Sequence, residues 1–100
     1  MTSKNNSGGL VAELIWGEPA VGQPQRWSLD RPLLIGREHA DIIIPVPAVS
    51  RRHAKIAVKT GYCTIEDLDS RNGTAVNGTL LPAGTQEPLR DGNIILLAGL

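Results

Sequence analysis

Glycine and proline interrupt this chain so often that helix is nearly excluded before any other property is weighed. Eleven Gly and seven Pro are spread over 100 residues, and only the windows 48–60 and 62–72 reach ordinary helix length without a breaker. Both windows read as extended. In the first, Ala54, Ile56 and Val58 alternate with Lys55, Ala57 and Lys59, a period of two with one apolar face. In the second, Cys63, Ile65 and Asp67 alternate with Tyr62, Thr64 and Glu66. No stretch shows a 3.6-residue period.

The other apolar runs are short and bounded by turns: 10–16, 25–29, 33–36, 41–44, 74–76, 79–81 and 93–98. Many short strands at close spacing predict an all-β fold, an antiparallel sandwich of two packed sheets. One hundred residues suit a single domain. Residues 1–9 are small and polar and are expected to form a disordered lead, with the folded domain over 10–100. Trp16 and Trp27 are expected in a first hairpin with its loop at 17–24. With Trp16, Trp27 and Tyr62 the only aromatics, the core must be built from Ile, Leu, Val and Ala. Cys63 reads as a buried apolar filler.

Charge and targeting features narrow the function classes. Ten basic against ten acidic residues leave no net charge, so a bulk grip on nucleic acid or an anionic membrane has no support. Few aromatics argue against base stacking. The longest apolar run, Ile94 to Ala98, is far too short to insert in a membrane, and residues 1–9 lack a signal-peptide pattern. A lone cysteine fits a reducing compartment, and cytoplasmic is the expected location. Within the basic set, however, seven Arg outnumber three Lys, and Arg is the better fork for phosphate or carboxylate.

Three polar clusters fall at turns between predicted strands: Gly36-Arg37, Ser50-Arg51-Arg52-His53 and Ser70-Arg71-Asn72-Gly73-Thr74, the last followed by Asn77-Gly78. Loops on a rigid sandwich are where binding residues gather. Their donors, with little that acts as a base, suit an oxyanion. A phosphate monoester carries about −1.5 to −2 charges near neutral pH and three acceptor oxygens, which Arg meets with paired, charge-assisted hydrogen bonds. Asn72 carries both a donor and an acceptor, the means to grip an extended peptide backbone. A phosphorylated residue within a peptide fits better than a nucleotide, for which there is neither a Gly-x-x-x-x-Gly-Lys loop nor an aromatic slot.

Gly36-Arg37, Asp41-Ile42, Val49-Ser50-Arg51-Arg52-His53-Ala54, Asp67, Ser70-Arg71-Asn72-Gly73-Thr74, Val76-Asn77-Gly78 and Leu89-x-Asp91-Gly92-x-Ile94 together resemble the motif series of the forkhead-associated (FHA) domain, in family order. The resemblance implies an eleven-stranded sandwich that reads phosphothreonine peptides with loops at one end. Arg37 resembles the principal phosphate-binding arginine and Ser50 the phosphate-binding serine; Arg51 stands where members also reach phosphate or peptide. Asn72 matches the asparagine that holds the peptide main chain. Gly36 and His53 resemble a structural pair that props the loops, with Gly73 and Asn77 as further support. Arg71 occupies a position where many members have Ser or Thr; a longer cation there either strengthens the phosphate contact or crowds the threonine methyl pocket. Asn93 replaces an acidic residue common after Gly92, and the chain stops about where the family's last strand would begin. A missing last strand would leave an edge open to weak self-association. The implied partner is a phosphothreonine protein made by a Ser/Thr kinase, with no cofactor.

Plainer readings stand beside these. Asn72-Gly73 and Asn77-Gly78 are each a type I′ turn signal, in which both residues take φ > 0. Gly36 is also explicable as a strand-end bend, and Arg52 and Lys55 as solvated. Three glycosylation sequons, at 5–7, 72–74 and 77–79, read as coincidences of turn chemistry. Ser50 and His53 lack a nucleophile elbow and an orienting acid, so an enzyme is not expected. No ligand spacing among His39, Asp41, His53 and Cys63 supports a metal. The alternative function keeps the fold and drops the ligand: a phosphate-independent assembly surface to which the apolar stretch 42–49 would contribute.

Overall fold

The computed structural model describes residues 30–99 in full, and for 2–5, 12–16 and 25–28 the strands that they form. Among the described residues there are eleven strands and no helix: β1 (Thr2–Asn5), β2 (Ala12–Trp16), β3 (Gln25–Ser28), β4 (Leu33–Gly36), β5 (Ile42–Ile43), β6 (Ala54–Lys59), β7 (Tyr62–Asp67), β8 (Thr74–Val76), β9 (Thr79–Leu80), β10 (Gln86–Leu89) and β11 (Ile95–Leu97). They form a five-stranded sheet in the order β10-β7-β6-β4-β5 and two three-stranded sheets, β11-β8-β9 and β1-β2-β3. All pairs are antiparallel except β4 with β5.

Alternation along the strands decides what is buried. Ile56 stands between Leu33 on β4 and Ile65 on β7, one apolar row across three strands. Ile35, Ile42, Ile56 and Ile65 from the five-stranded sheet meet Ile95 and Leu97 of β11 in one core, with Cys63 at its margin. β-branched side chains fill such a pleated interface densely. Burial pushes the Cys63 thiol up from its ordinary value.

Some of these expectations stand and others need correction. The lead over 1–9 contains β1, whose Thr, Ser, Lys and Asn carry no apolar alternation; its backbone nonetheless pairs with β2, from Thr2 opposite Ile15 to Asn5 opposite Ala12. The predicted first hairpin is present, with Leu14 opposite Trp27, while its loop 17–24 and residues 6–9 lie outside the described residues. β10, at Gln86–Leu89, gave no apolar signal because it is an edge strand with only Leu89 buried, where Pro88 needs no ladder donor. The stretch 42–49 divides between core and surface: Ile42, Ile44 and Val49 are buried, while Ile43, Pro45 and Pro47 are exposed.

The Asn77-Gly78 turn forms as read, with φ of 50° and 81° at the β8–β9 hairpin. Asn72-Gly73 is different. Gly73 has φ 86° but Asn72 does not take a positive φ, so this is no type I′ turn.

Candidate functional site

The pairings bring the three polar loops to one end of the molecule. Ala54, the first residue of β6, lies between Ile35 near the end of β4 and Asp67 at the end of β7. The loops after β4, before β6 and after β7 are therefore neighbours, and β8 begins immediately beyond the last of them.

Side chains and backbone then tie the loops together. Arg37 donates its backbone N–H to the Ser50 carbonyl at 3.0 Å, and its guanidinium touches the Pro47 carbonyl at 3.4 Å. Ser50 Oγ accepts the Arg71 backbone N–H at 2.9 Å. Asn72 Nδ2 donates to the Ala48 carbonyl at 2.8 Å. Arg37, Ser50, Arg71 and Asn72, singled out from sequence, thus converge on one surface. Arg51 is at the same end, where its Nε meets Glu38 Oε1 at 3.0 Å. Arg52 and Lys55 are exposed, as read.

Gly36 is more than a bend. A Cβ there would lie 1.8 Å from the Arg51 carbonyl oxygen, so the backbone of the Ser50 loop passes where any other side chain would stand. His53 is fully buried and uses both ring nitrogens, Nδ1 with the Ser50 N–H at 3.0 Å and Nε2 with the Gly73 carbonyl at 2.7 Å. An N–H can only donate and a carbonyl only accept, so Nδ1 is the acceptor and Nε2 carries the proton. One ring thereby spans two loops. Gly73 supports the site through that same carbonyl, which also accepts the Ala98 N–H at 2.9 Å.

Asn77 does not belong to this end. It sits beyond the far end of β8, where its N–H donates to the Ile94 carbonyl and its Oδ1 accepts the Ile94 N–H, both at 2.9 Å. It fastens the β8–β9 turn to the segment before β11. An Asn-Gly pair reads the same near a site or away from one, and only the topology separates the two cases.

The family model of the FHA domain matches residues 33–98, which hold every element of this site. The chain belongs to the FHA domain family. Among related proteins, the oxoglutarate dehydrogenase inhibitor of Corynebacterium efficiens is 32% identical over 81 residues, covering 74% of this chain and 57% of that protein. The chain spans less than two thirds of the length of each curated relative it matches. A structure from work on phosphothreonine-dependent FHA domain interactions superposes with a TM-score of 0.73 at 30% identity, over 89% of this chain and 88% of that one. Mycobacterium tuberculosis EmbR, solved with a low affinity phosphopeptide, gives 0.71 at 31% identity, over 86% of this chain and 22% of that one.

Two carboxylates brace the FHA loops, a use that composition and charge do not reveal. Asp41 accepts the Leu34 N–H at 2.8 Å and pairs with Arg31 at 3.3 Å. The Leu34 bond above all holds its carboxyl below the usual range, against desolvation and with help from Arg31. Asp67 is buried and accepts from the Ser70 hydroxyl and backbone N–H and from Thr74 Oγ1, while Ser70 Oγ in turn accepts the Gly73 N–H at 3.0 Å. A signal existed: an acid three residues before a serine is a spacing at which side chains cap turns.

Burial alone would raise the Asp67 carboxyl, yet the hydrogen bonds from Ser70 and Thr74 outweigh it and the value is lowered. The folded value then lies below the unfolded one. Its contribution to stability is complete above the ordinary carboxylate value of about 3.9 and is lost as pH falls through the lower folded value. Urea midpoints of the wild type should therefore drop on going below about pH 4, and those of Asp67→Asn should drop less steeply; parallel curves would refute the assignment.

His53→Ala should lower stability by about 2–3 kcal/mol, because it opens a buried cavity and strands the Ser50 N–H. Chemical denaturation checks it; an unchanged midpoint would show that the ring does not brace the loops.

Proposed function

We propose that this FHA domain binds phosphorylated peptides, and phosphothreonine in particular, in a partner protein marked by a Ser/Thr kinase. The observation that carries the reading is the bonding of Ser50. Its Oγ accepts from the Arg71 N–H, which leaves the hydroxyl proton free to be donated to an oxyanion. The Arg37 guanidinium stands on the same loop surface, anchored through its backbone to Ser50. A dianion with three acceptor oxygens can take the hydroxyl and a forked guanidinium together.

Asn72 supplies the peptide contact. One hydrogen of Nδ2 is engaged by Ala48, so the second hydrogen and Oδ1 are available for a donor and an acceptor on an extended main chain. The phosphopeptide complex of EmbR and the phosphothreonine-dependent interactions studied for the other FHA structure support the same reading. The exposed Arg71 side chain adds positive charge beside the phosphate position.

The test is a residue-resolved titration with one extended peptide in phosphothreonine, phosphoserine and unmodified forms. The phosphothreonine form should perturb Arg37, Ser50 and Asn72 at the lowest concentration. Equal responses to both phosphorylated forms would remove the threonine preference. A response that ignores phosphorylation would favour phosphate-independent assembly.

A further inference from the structure

We propose that Glu38 is an internal competitor of the bound phosphate, holding Arg51 aside so that only an anion stronger than a carboxylate recruits it. The inference rests on the phosphopeptide reading and deepens it by naming what sets the threshold of that site. Glu38 directly follows Arg37, and Arg51 directly follows Ser50; the backbones of Arg37 and Ser50 are themselves joined at 3.0 Å. The ion pair between Arg51 Nε and Glu38 Oε1, also 3.0 Å, therefore lies one residue from each of the two proposed phosphate ligands.

The loop is built to keep Glu38 there. His39, next in sequence, takes φ 50°, a left-handed backbone conformation directly after the carboxylate. The loop's start is pinned by the Arg37–Ser50 bond and its end by Asp41, which accepts the Leu34 N–H at 2.8 Å. Both partners are largely exposed, at 74% for Arg51 and 48% for Glu38. An exposed pair of this kind is weak and exchangeable. A peptide carboxylate carries the same charge as Glu38 and must in addition be brought in from solution, so it gains nothing by displacing it. A phosphate near −2 has twice the attraction for the guanidinium. Arg51 thus changes partners only for the doubly charged group, while the released Glu38 adds repulsion that every bound anion must overcome.

The probe is one phosphothreonine peptide selected by the wild-type protein from a degenerate library, together with its aspartate counterpart, each titrated in solution. Glu38→Gln should tighten phosphopeptide binding about three- to tenfold, from the lost competition and the lost repulsion across a few ångströms of screened solvent. It should tighten the aspartate peptide at least as much, so that discrimination does not grow. In an Arg51→Ala background only the repulsion is left to remove, and the gain should fall to about half or less. In the wild type, the Arg51 Nε–Hε resonance should move with the same saturation curve as the Ser50 amide. No gain from Glu38→Gln, or an equal gain without Arg51, would overturn the proposal and leave phosphopeptide binding standing. Failure of the wild type to select phosphorylated over unmodified peptides would overturn the reading itself, and this inference with it.

Discussion

Arg37→Ala is expected to weaken phosphopeptide binding by on the order of 10²–10³-fold while leaving the folded state nearly as stable as before. Charge-assisted hydrogen bonds contribute roughly 1.5–3 kcal/mol each, and a guanidinium can make two to one phosphate. Folding, by contrast, asks little of this side chain. It is only partly buried, and among the described residues its guanidinium makes a 3.4 Å approach to the Pro47 carbonyl. The backbone bond from Arg37 to Ser50 survives the substitution. Isothermal titration together with thermal unfolding separates the two effects. Arg37→Lys should lie between, since an ammonium keeps the charge but loses the fork. Undiminished affinity in Arg37→Ala would place the phosphate elsewhere.

Gly36→Ala should have the largest effect on the fold, about 4 kcal/mol or an outright failure to fold. The added Cβ would stand 1.8 Å from the Arg51 carbonyl oxygen and 2.8 Å from its carbon, both backbone atoms with no rotamer to change. Relief requires the strand end and the Ser50 loop to part. Three bonds cross that seam or adjoin it: Arg37 N–H to Ser50, His53 N–H to Ile35 and Ile44 N–H to Gly36. For a domain of this size each kcal/mol lowers the melting temperature by roughly 4–8 °C. Gly84→Ala is the matched control. Gly84 needs its positive φ, but a Cβ there meets nothing within 4 Å, so the loss should be about 1 kcal/mol. Equal losses in the two variants would show that close approach is not why residue 36 is glycine.

Those two residues mark what can and cannot be read from one chain. Arg37, Ser50 and Asn72 were legible as polar side chains at turns whatever the fold around them, and the structure brings them to one surface. The strands with clean alternation, β6 and β7 above all, were legible for the same local reason. Gly36 was visible as a glycine, but its reason is a carbonyl fifteen residues away in sequence, brought close by pairing between β4 and β6. The apolar run 41–44 marked β5, but its parallel pairing with β4 rests on a neighbour rather than on a pattern. β10 was hidden because an edge strand need not alternate. Glu38 was missed because nothing local distinguishes it from any solvated acid; its meaning depends on which cation the next loop carries past it. Asn77 lies in a turn away from the site; Asn-Gly specifies a turn and not where that turn lies.

The loops that form the site are fastened largely by side chains gripping backbone: Ser50 on Arg71, His53 on Ser50 and Gly73, Ser70 on Gly73, Asn72 on Ala48. In kinetic language, a ligand arriving here meets loops whose backbone is already in place, with the Arg51 side chain left to change partners. Association should then proceed at the rate of a correctly oriented encounter, little altered by substitutions within the site. What those substitutions change is how long the complex lasts, so this domain would discriminate between its peptides chiefly by residence time.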